Sequence, residues 1–155
     1  MLGTLAPSAL DTALYIPDLR HRRKSAVFDE LVDCAVASGA VRCDPALREL
    51  LRCRESLGST SPGRGFALPH ARSLAVRSTR VVVARSGRGV DWGAADGELV
   101  HLIVLLLSPS ECPESAHLDL LGRLGNALRF QRQRQKMLEA GGFETIASLL
   151  REELA

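Results

Sequence analysis

Val100-His101-Leu102-Ile103-Val104-Leu105-Leu106-Leu107 is apolar at every position but one. A strand with one face in water alternates apolar and polar side chains, whereas a strand covered on both faces does not. The run therefore reads as a central strand with helices on either side, ended by Ser108-Pro109. Upstream, Val81-Val82-Val83 within Arg80 to Arg85 is a β-branched run and a second strand. Gly87 to Gly97, rich in glycine and acidic residues, reads as turns around Trp92. Phe66-Ala67-Leu68 is a third, short strand. Pro69 biases Leu68 toward extended backbone, so His70 is expected just past a strand end, with Ala71 to Ser78 as a connecting loop. Tyr15-Ile16 is long enough only to start a strand.

Helical spacing fills the rest. Phe28, Leu31, Val32 and Ala35 recur on one face, with Ser25 as the expected N-cap and Gly39 in the place a closing glycine prefers. Asp44-Pro45 opens a second helix with a cap and a first-turn proline. Its stripe is Leu47, Leu50 and Leu51, which puts Arg54 near the buried edge. His117, Leu121, Leu124 and Leu128 share a stripe on a third helix. Gln131 to Ala140 is a polar helix broken at Gly141-Gly142. Phe143 to Leu154 is a last helix with Ile146, Leu149 and Leu150 inward. Strands and helices alternate without a repeat or a dividing linker, so residues 1–155 read as a single α/β domain.

Composition narrows the function classes. At 46% apolar and 25% charged residues the chain is globular rather than disordered. Aromatics at 4% are too few for a stacking platform for single-stranded nucleic acid. A net charge of +2 is weak for a nucleic-acid-binding domain. The basic runs Arg20 to Lys24 and Arg129 to Lys136 read as solvated surface. Cys34, Cys43, Cys53 and Cys112 have no metal-type spacing and are expected as buried free thiols, which suits a reducing cytosol. No secretory leader is evident before Ile16, and no run is long enough for a membrane span.

Chemistry falls to the histidines. His21 sits in a charged cluster and reads as a surface residue. His101 reads as a core or edge histidine with a local hydrogen bond. His70 follows a proline beside glycines and arginines, in a loop position where chemistry is often placed. His117 lies on the core side of its helix, near an N-terminus that disfavours imidazolium and favours an anion. A zinc site would need three or four converging ligands, which the spacing does not support. A G-x-S-x-G elbow and a G-x-x-x-x-G-K-[ST] loop are both lacking. The residues alone reach an α/β domain with a loop histidine and a second, helper histidine.

The stretch Arg54-Glu55-Ser56-Leu57-Gly58-Ser59-Thr60, followed by Phe66-Ala67-Leu68-Pro69-His70-Ala71-Arg72, resembles the enzyme IIA family of the bacterial phosphotransferase system (PTS). The likeness is to the fructose/mannitol type, nearest the nitrogen-regulatory IIA proteins. It continues through Gly89-Val90-Asp91-Trp92, Asp96-Gly97, the central strand and His117-Leu118. The resemblance implies a mixed β-sheet flanked by helices on both faces. It implies a cytoplasmic phosphocarrier whose His70 takes a phosphoryl group from the phosphohistidine of a small HPr-type carrier, with no metal or nucleotide cofactor. His117 matches the second active-site histidine, expected to donate to a phosphoryl oxygen, and Arg54 matches the motif's arginine. Gly58, Gly63 and Gly65 are expected to let the backbone approach the phosphate. Where the family usually has Gly-Ile-Gly after Ser-Thr, this chain has Ser61-Pro62-Gly63.

Two downstream roles follow as expectations. One is sugar transport, with onward transfer to a separate IIB protein. The other is nitrogen-type regulation, in which the phosphorylation state governs binding to kinases, transporters or other regulators. The lack of a fused membrane or IIB segment leans the expectation to regulation.

Overall fold

The computed structural model describes residues 9–43 and 45–154. After a short 3-10 turn at Thr12–Leu14, the chain forms β1 (Tyr15–Ile16), α1 (Lys24–Ala37), α2 (Pro45–Leu57), β2 (Phe66–Ala67) and β3 (His70–Ser73). It continues with β4 (Arg80–Val90), β5 (Val100–Pro109), α3 (Glu114–Leu128), α4 (Gln131–Glu139) and α5 (Phe143–Leu154).

β5 is the axis of the sheet. It pairs antiparallel with β4 on one side, and β4 carries β1 in parallel. On the other side β2 and β3 lie end to end along β5, both parallel to it: Phe66 stands opposite Leu102, and His70 opposite Leu106. The interruption falls at Leu68-Pro69. Proline cannot donate to a ladder and is confined to edges, which is where this break lies. The sheet is thus mixed and covered on both faces.

The pleat divides β5 between two cores. Ile103, Leu105 and Leu107 pack with Val27, Phe28, Leu31, Leu47 and Leu51 beneath α1 and α2. Leu102, Val104 and Leu106 pack with Leu120, Leu124, Leu128, Ile146 and Leu150 beneath α3 and α5. That division explains the unbroken apolar run: every second residue serves a different layer.

Several local expectations are corrected. α1 begins at Lys24 with Arg23 at the cap position, and Ser25 lies inside the helix. The entry is set by backbone instead, since Arg23 bridges to Asp91 and its carbonyl accepts from Val27 N. Gly39 does close α1, at φ +80°. Asp44 lies outside the described residues. On α2 the buried line is Leu47, Leu51 and Glu55, while Leu50 is 42% exposed and Arg54 is exposed too. The stripe is rotated because Glu55 is held inside by partners described below. His70 opens a strand rather than following one, and Ala71 to Ser73 are ladder residues. β4 runs on to Val90 through a register shift after Arg85, so Gly87 to Val90 are strand rather than turn. The four cysteines form no disulfide, as expected, but Cys43 and Cys53 are exposed and Cys34 and Cys112 only half-buried.

Candidate functional site

Three elements bring the site together at one end of the sheet. Ala71 packs into the α1/α2 core, so its neighbours His70 and Arg72 point to the opposite face, toward α3. Ser108 stands opposite Arg72 in the ladder and shares the α3 side with Val104 and Leu106. His117 lies in the first turn of α3, where its N–H donates to Pro113 O at 3.1 Å.

The two histidines meet. Nδ1 of His70 lies 3.1 Å from Nε2 of His117, with ring centroids 5.2 Å apart and planes tilted by 46°. The far nitrogen of His117, Nδ1, lies 2.8 Å from Ser108 Oγ. Ser108 is 0% exposed and His117 3%, while His70 is half-buried. The result is a chain of three side chains running from a wholly buried hydroxyl to a partly open imidazole. No hydrogen bond from a described residue is made to Nε2 of His70.

Both rings are biased toward the neutral form. Burial lowers the His117 pKa, helped by His70 and by the Arg72 guanidinium, to about 4. Burial also lowers the His70 pKa, and Arg54 adds to the effect while Glu55 opposes it. A neutral imidazole keeps one lone pair, which is what a nucleophile requires.

Arg54 reaches this neighbourhood from the last turn of α2. Its guanidinium donates to Gly58 O at 3.0 Å and stays exposed. It is a positive charge near His70 without a carboxylate partner among the described ion pairs. The next residue does the opposite. Glu55 is buried, accepts from Thr60 N at 3.0 Å and from Thr60 Oγ1 at 2.8 Å, and pairs with Lys24 Nζ at 3.3 Å. Thr60 Oγ1 in turn accepts from Trp92 Nε1 at 3.0 Å, and Lys24 lies over the Trp92 ring. The Arg-Glu dipeptide therefore divides its work: the arginine faces the open side, and the glutamate ties the loop back to the helix.

The loop from Gly58 to Gly65 is braced from the other side by Asp96, whose carboxylate accepts from Arg64 N at 2.7 Å. Gly63, Arg64 and Gly65 follow one another at φ +103°, +62° and +81°. A Cβ on Gly63 would come within 2.5 Å of Asp96 Oδ2. Gly63 is thus confined by its backbone conformation and by a carboxylate of the chain itself. Arg72 donates to Ser110 O and Cys112 O, at 3.1 and 2.8 Å, and so fastens the segment that leads into α3.

The remaining histidines lie apart in role. His101 Nδ1 meets Ser86 O at 2.8 Å, the local bond foreseen for it. His21 pairs with Glu30 at the surface. Among the described residues no group of three or more His, Cys, Asp or Glu side chains is placed to hold a metal.

The structure therefore brings His70 and His117 into contact and sets Arg54 in the same electrostatic neighbourhood. His117 turns Nε2 to the His70 ring itself. Ser108 was missed: it reads as the terminator of an apolar strand. The signal was its parity with Val104 and Leu106, which places its hydroxyl on the α3 face. An uncharged imidazole with one committed and one open nitrogen, beside an exposed guanidinium, suits attack on a dianionic electrophile such as a transferring phosphoryl group.

Comparison with known proteins agrees with this chemistry. Residues 9–153 match the family model described as "Phosphoenolpyruvate-dependent sugar phosphotransferase system, EIIA 2". The chain is 32% identical over 146 residues to the nitrogen regulatory protein of Bradyrhizobium diazoefficiens, covering 94% of this chain and 91% of that one. It is 31% identical over 135 residues to the fructose-specific EIIABC component of Bacillus subtilis, covering 87% of this chain but only 21% of that longer protein. In structure it is similar to the nitrogen regulatory protein IIA-Ntr of Neisseria meningitidis, with a TM-score of 0.84, 27% identity, and coverage of 92% of this chain and 97% of that one.

Proposed function

The chain belongs to the EIIA 2 family of the phosphoenolpyruvate-dependent sugar phosphotransferase system, and from that premise we propose that His70 is the residue on which it carries a phosphoryl group. The donor is the phosphohistidine of an HPr-type carrier, and the nucleophile is Nε2 of His70. The observation that carries this reading is the 3.1 Å contact between Nδ1 of His70 and Nε2 of His117, which commits one nitrogen and leaves the other open.

The reaction proceeds on a neutral His70 whose proton sits on Nδ1. The Nε2 lone pair forms a bond to phosphorus as the bond from phosphorus to the carrier's imidazole breaks. The carrier ring leaves with the electron pair and takes up a proton from solvent. Positive charge develops on the His70 ring, and the Nδ1–H shares it with Nε2 of His117. Arg54 stabilises the charge on the phosphoryl oxygens in flight, where preorganised positive charge is most effective. No described helix is long and apolar enough to cross a membrane; we place the protein in the cytoplasm, with the carrier.

Incubation with phosphorylated HPr-type carrier, followed by intact mass, tests the assignment. The wild type gains one phosphoryl group and His70→Ala gains none; labelling of the variant at the wild-type rate overturns it.

Downstream, the likeness to nitrogen regulatory proteins over nearly the whole length of both chains supports a regulatory role. The likeness to a fructose-specific component supports onward transfer to a IIB protein. We favour the regulatory role. Rapid loss of the phosphoryl group to a IIB protein from the same cell would select the second.

A further inference from the structure

We propose that Ser108 is a positioning residue for the His70 reaction: its buried hydroxyl accepts the Nδ1–H of His117, holds Nε2 of His117 as an acceptor, and so keeps the proton of His70 on Nδ1. The inference rests on the reading of His70 Nε2 as nucleophile and adds the element that makes that nitrogen available.

Three contacts in series carry it. His70 Nδ1 faces His117 Nε2 at 3.1 Å, and His117 Nδ1 faces Ser108 Oγ at 2.8 Å. A neutral imidazole holds one N–H, and one hydrogen fits between two facing ring nitrogens. The proton positions along the chain are therefore coupled, and only two neutral arrangements keep both contacts. In the first, His70 donates to His117 and His117 donates to Ser108, which leaves the lone pair of His70 on Nε2. In the second, the hydroxyl donates to His117 and His117 donates to His70. That puts the His70 proton on Nε2 and removes the nucleophile.

The terminal hydroxyl can complete either arrangement, and the charge that grows on His70 during attack favours the one in which it accepts. Ser108 and His117 are 0% and 3% exposed, so bulk water does not compete for Nδ1 of His117. The strand pleat fixes Ser108 on the α3 face, opposite Arg72 in the ladder. Arg72, anchored on Ser110 O and Cys112 O, opposes a second proton on His117, so the choice stays between neutral forms. As positive charge grows on His70 during attack, the chain polarises toward Ser108, and an accepting oxygen at its end stabilises that charge.

The test uses the full chain as wild type, Ser108→Ala and Ser108→Thr. Imidazole 15N spectra of the unphosphorylated proteins at neutral pH report the tautomers directly. The wild type and Ser108→Thr should show His117 as the Nδ1–H form and His70 with an unprotonated Nε2. Ser108→Ala should lose that preference. Labelling by phosphorylated HPr-type carrier should slow about tenfold in Ser108→Ala, the scale of one lost buried hydrogen bond, and recover in Ser108→Thr. His117 found as the Nε2–H form in the wild type overturns the proposal, as does wild-type labelling in Ser108→Ala. If the wild type accepts no phosphoryl group, the reading of His70 as acceptor fails instead, and the ring spectra alone decide the role of Ser108.

Discussion

Nδ1 of His70 and Nε2 of His117 face each other at 3.1 Å although 47 positions separate them in the chain. β3 supplies one ring and α3 the other, and both elements are positioned by β5. The contact commits one nitrogen of each ring and leaves a single imidazole nitrogen, Nε2 of His70, without a partner from the described residues. The chemistry proposed for the site follows from that inequality between two otherwise similar nitrogens.

Arg54 acts on His70 through charge. Replacing it by glutamine removes one of the two influences that lower the His70 pKa, so the pKa should rise, as read by NMR titration of the ring. Phosphoryl transfer should slow by about tenfold or more, the scale of a lost charge-assisted contact to the transferring group. An unchanged pKa together with an unchanged rate would remove Arg54 from the site.

His117 makes stability depend on acid. Its pKa is about 4 folded, against an ordinary value of 6.5. Between those values the unfolded chain binds the proton and the folded chain does not, so stability contributed by the neutral ring is complete above 6.5 and lost as pH falls toward 4. At pH 5 the loss attributable to this residue should be about 2 kcal/mol. Urea unfolding of wild type and His117→Gln at pH 7 and pH 5 checks it: the wild type should lose more on acidification than the variant by about that amount. Equal losses would contradict the assignment.

Glu55 should matter for stability more than its position on a surface helix suggests. Its carboxylate holds Thr60 N, Thr60 Oγ1 and Lys24 Nζ, and through Thr60 it fixes Trp92 Nε1. Glu55→Ala leaves a buried donor set unpaired and should cost about 3 kcal/mol in urea unfolding. The emission of Trp92, the single tryptophan, should shift with it. A cost under about 1 kcal/mol would mean that the network does not brace the loop.

Much of this was legible in the residues. The layered α/β arrangement follows from Val100 to Leu107, because only a strand covered on both faces tolerates so unbroken a run. The resemblance singled out His70, His117 and Arg54 together, and the two histidine rings do meet. What escaped was set by partners outside the helical and strand periodicities. Glu55 is inside because Thr60 and Lys24 satisfy it, which turned the α2 stripe away from Leu50. His70 is a ladder residue because β5 extends to Pro109 and offers it an edge. Ser108 was hidden by reading Ser-Pro only as a strand terminator.

Gly63 tests the loop. Its φ is +103°, and a Cβ would lie 2.5 Å from Asp96 Oδ2. Gly63→Ala should destabilise by about 2 kcal/mol, combining backbone strain with displacement of the carboxylate from Arg64 N. In an Asp96→Ala background the clash is gone, and the same substitution should cost less. Equal costs in both backgrounds would show that Asp96 does not confine Gly63.

The most direct test of the central claim is the bond itself. The 15N-labelled protein, phosphorylated by an HPr-type carrier, should show phosphorus coupled to Nε2 of His70, with the proton of that ring on Nδ1 toward His117. Phosphorus on Nδ1 of His70, on His117, or on no histidine would contradict it.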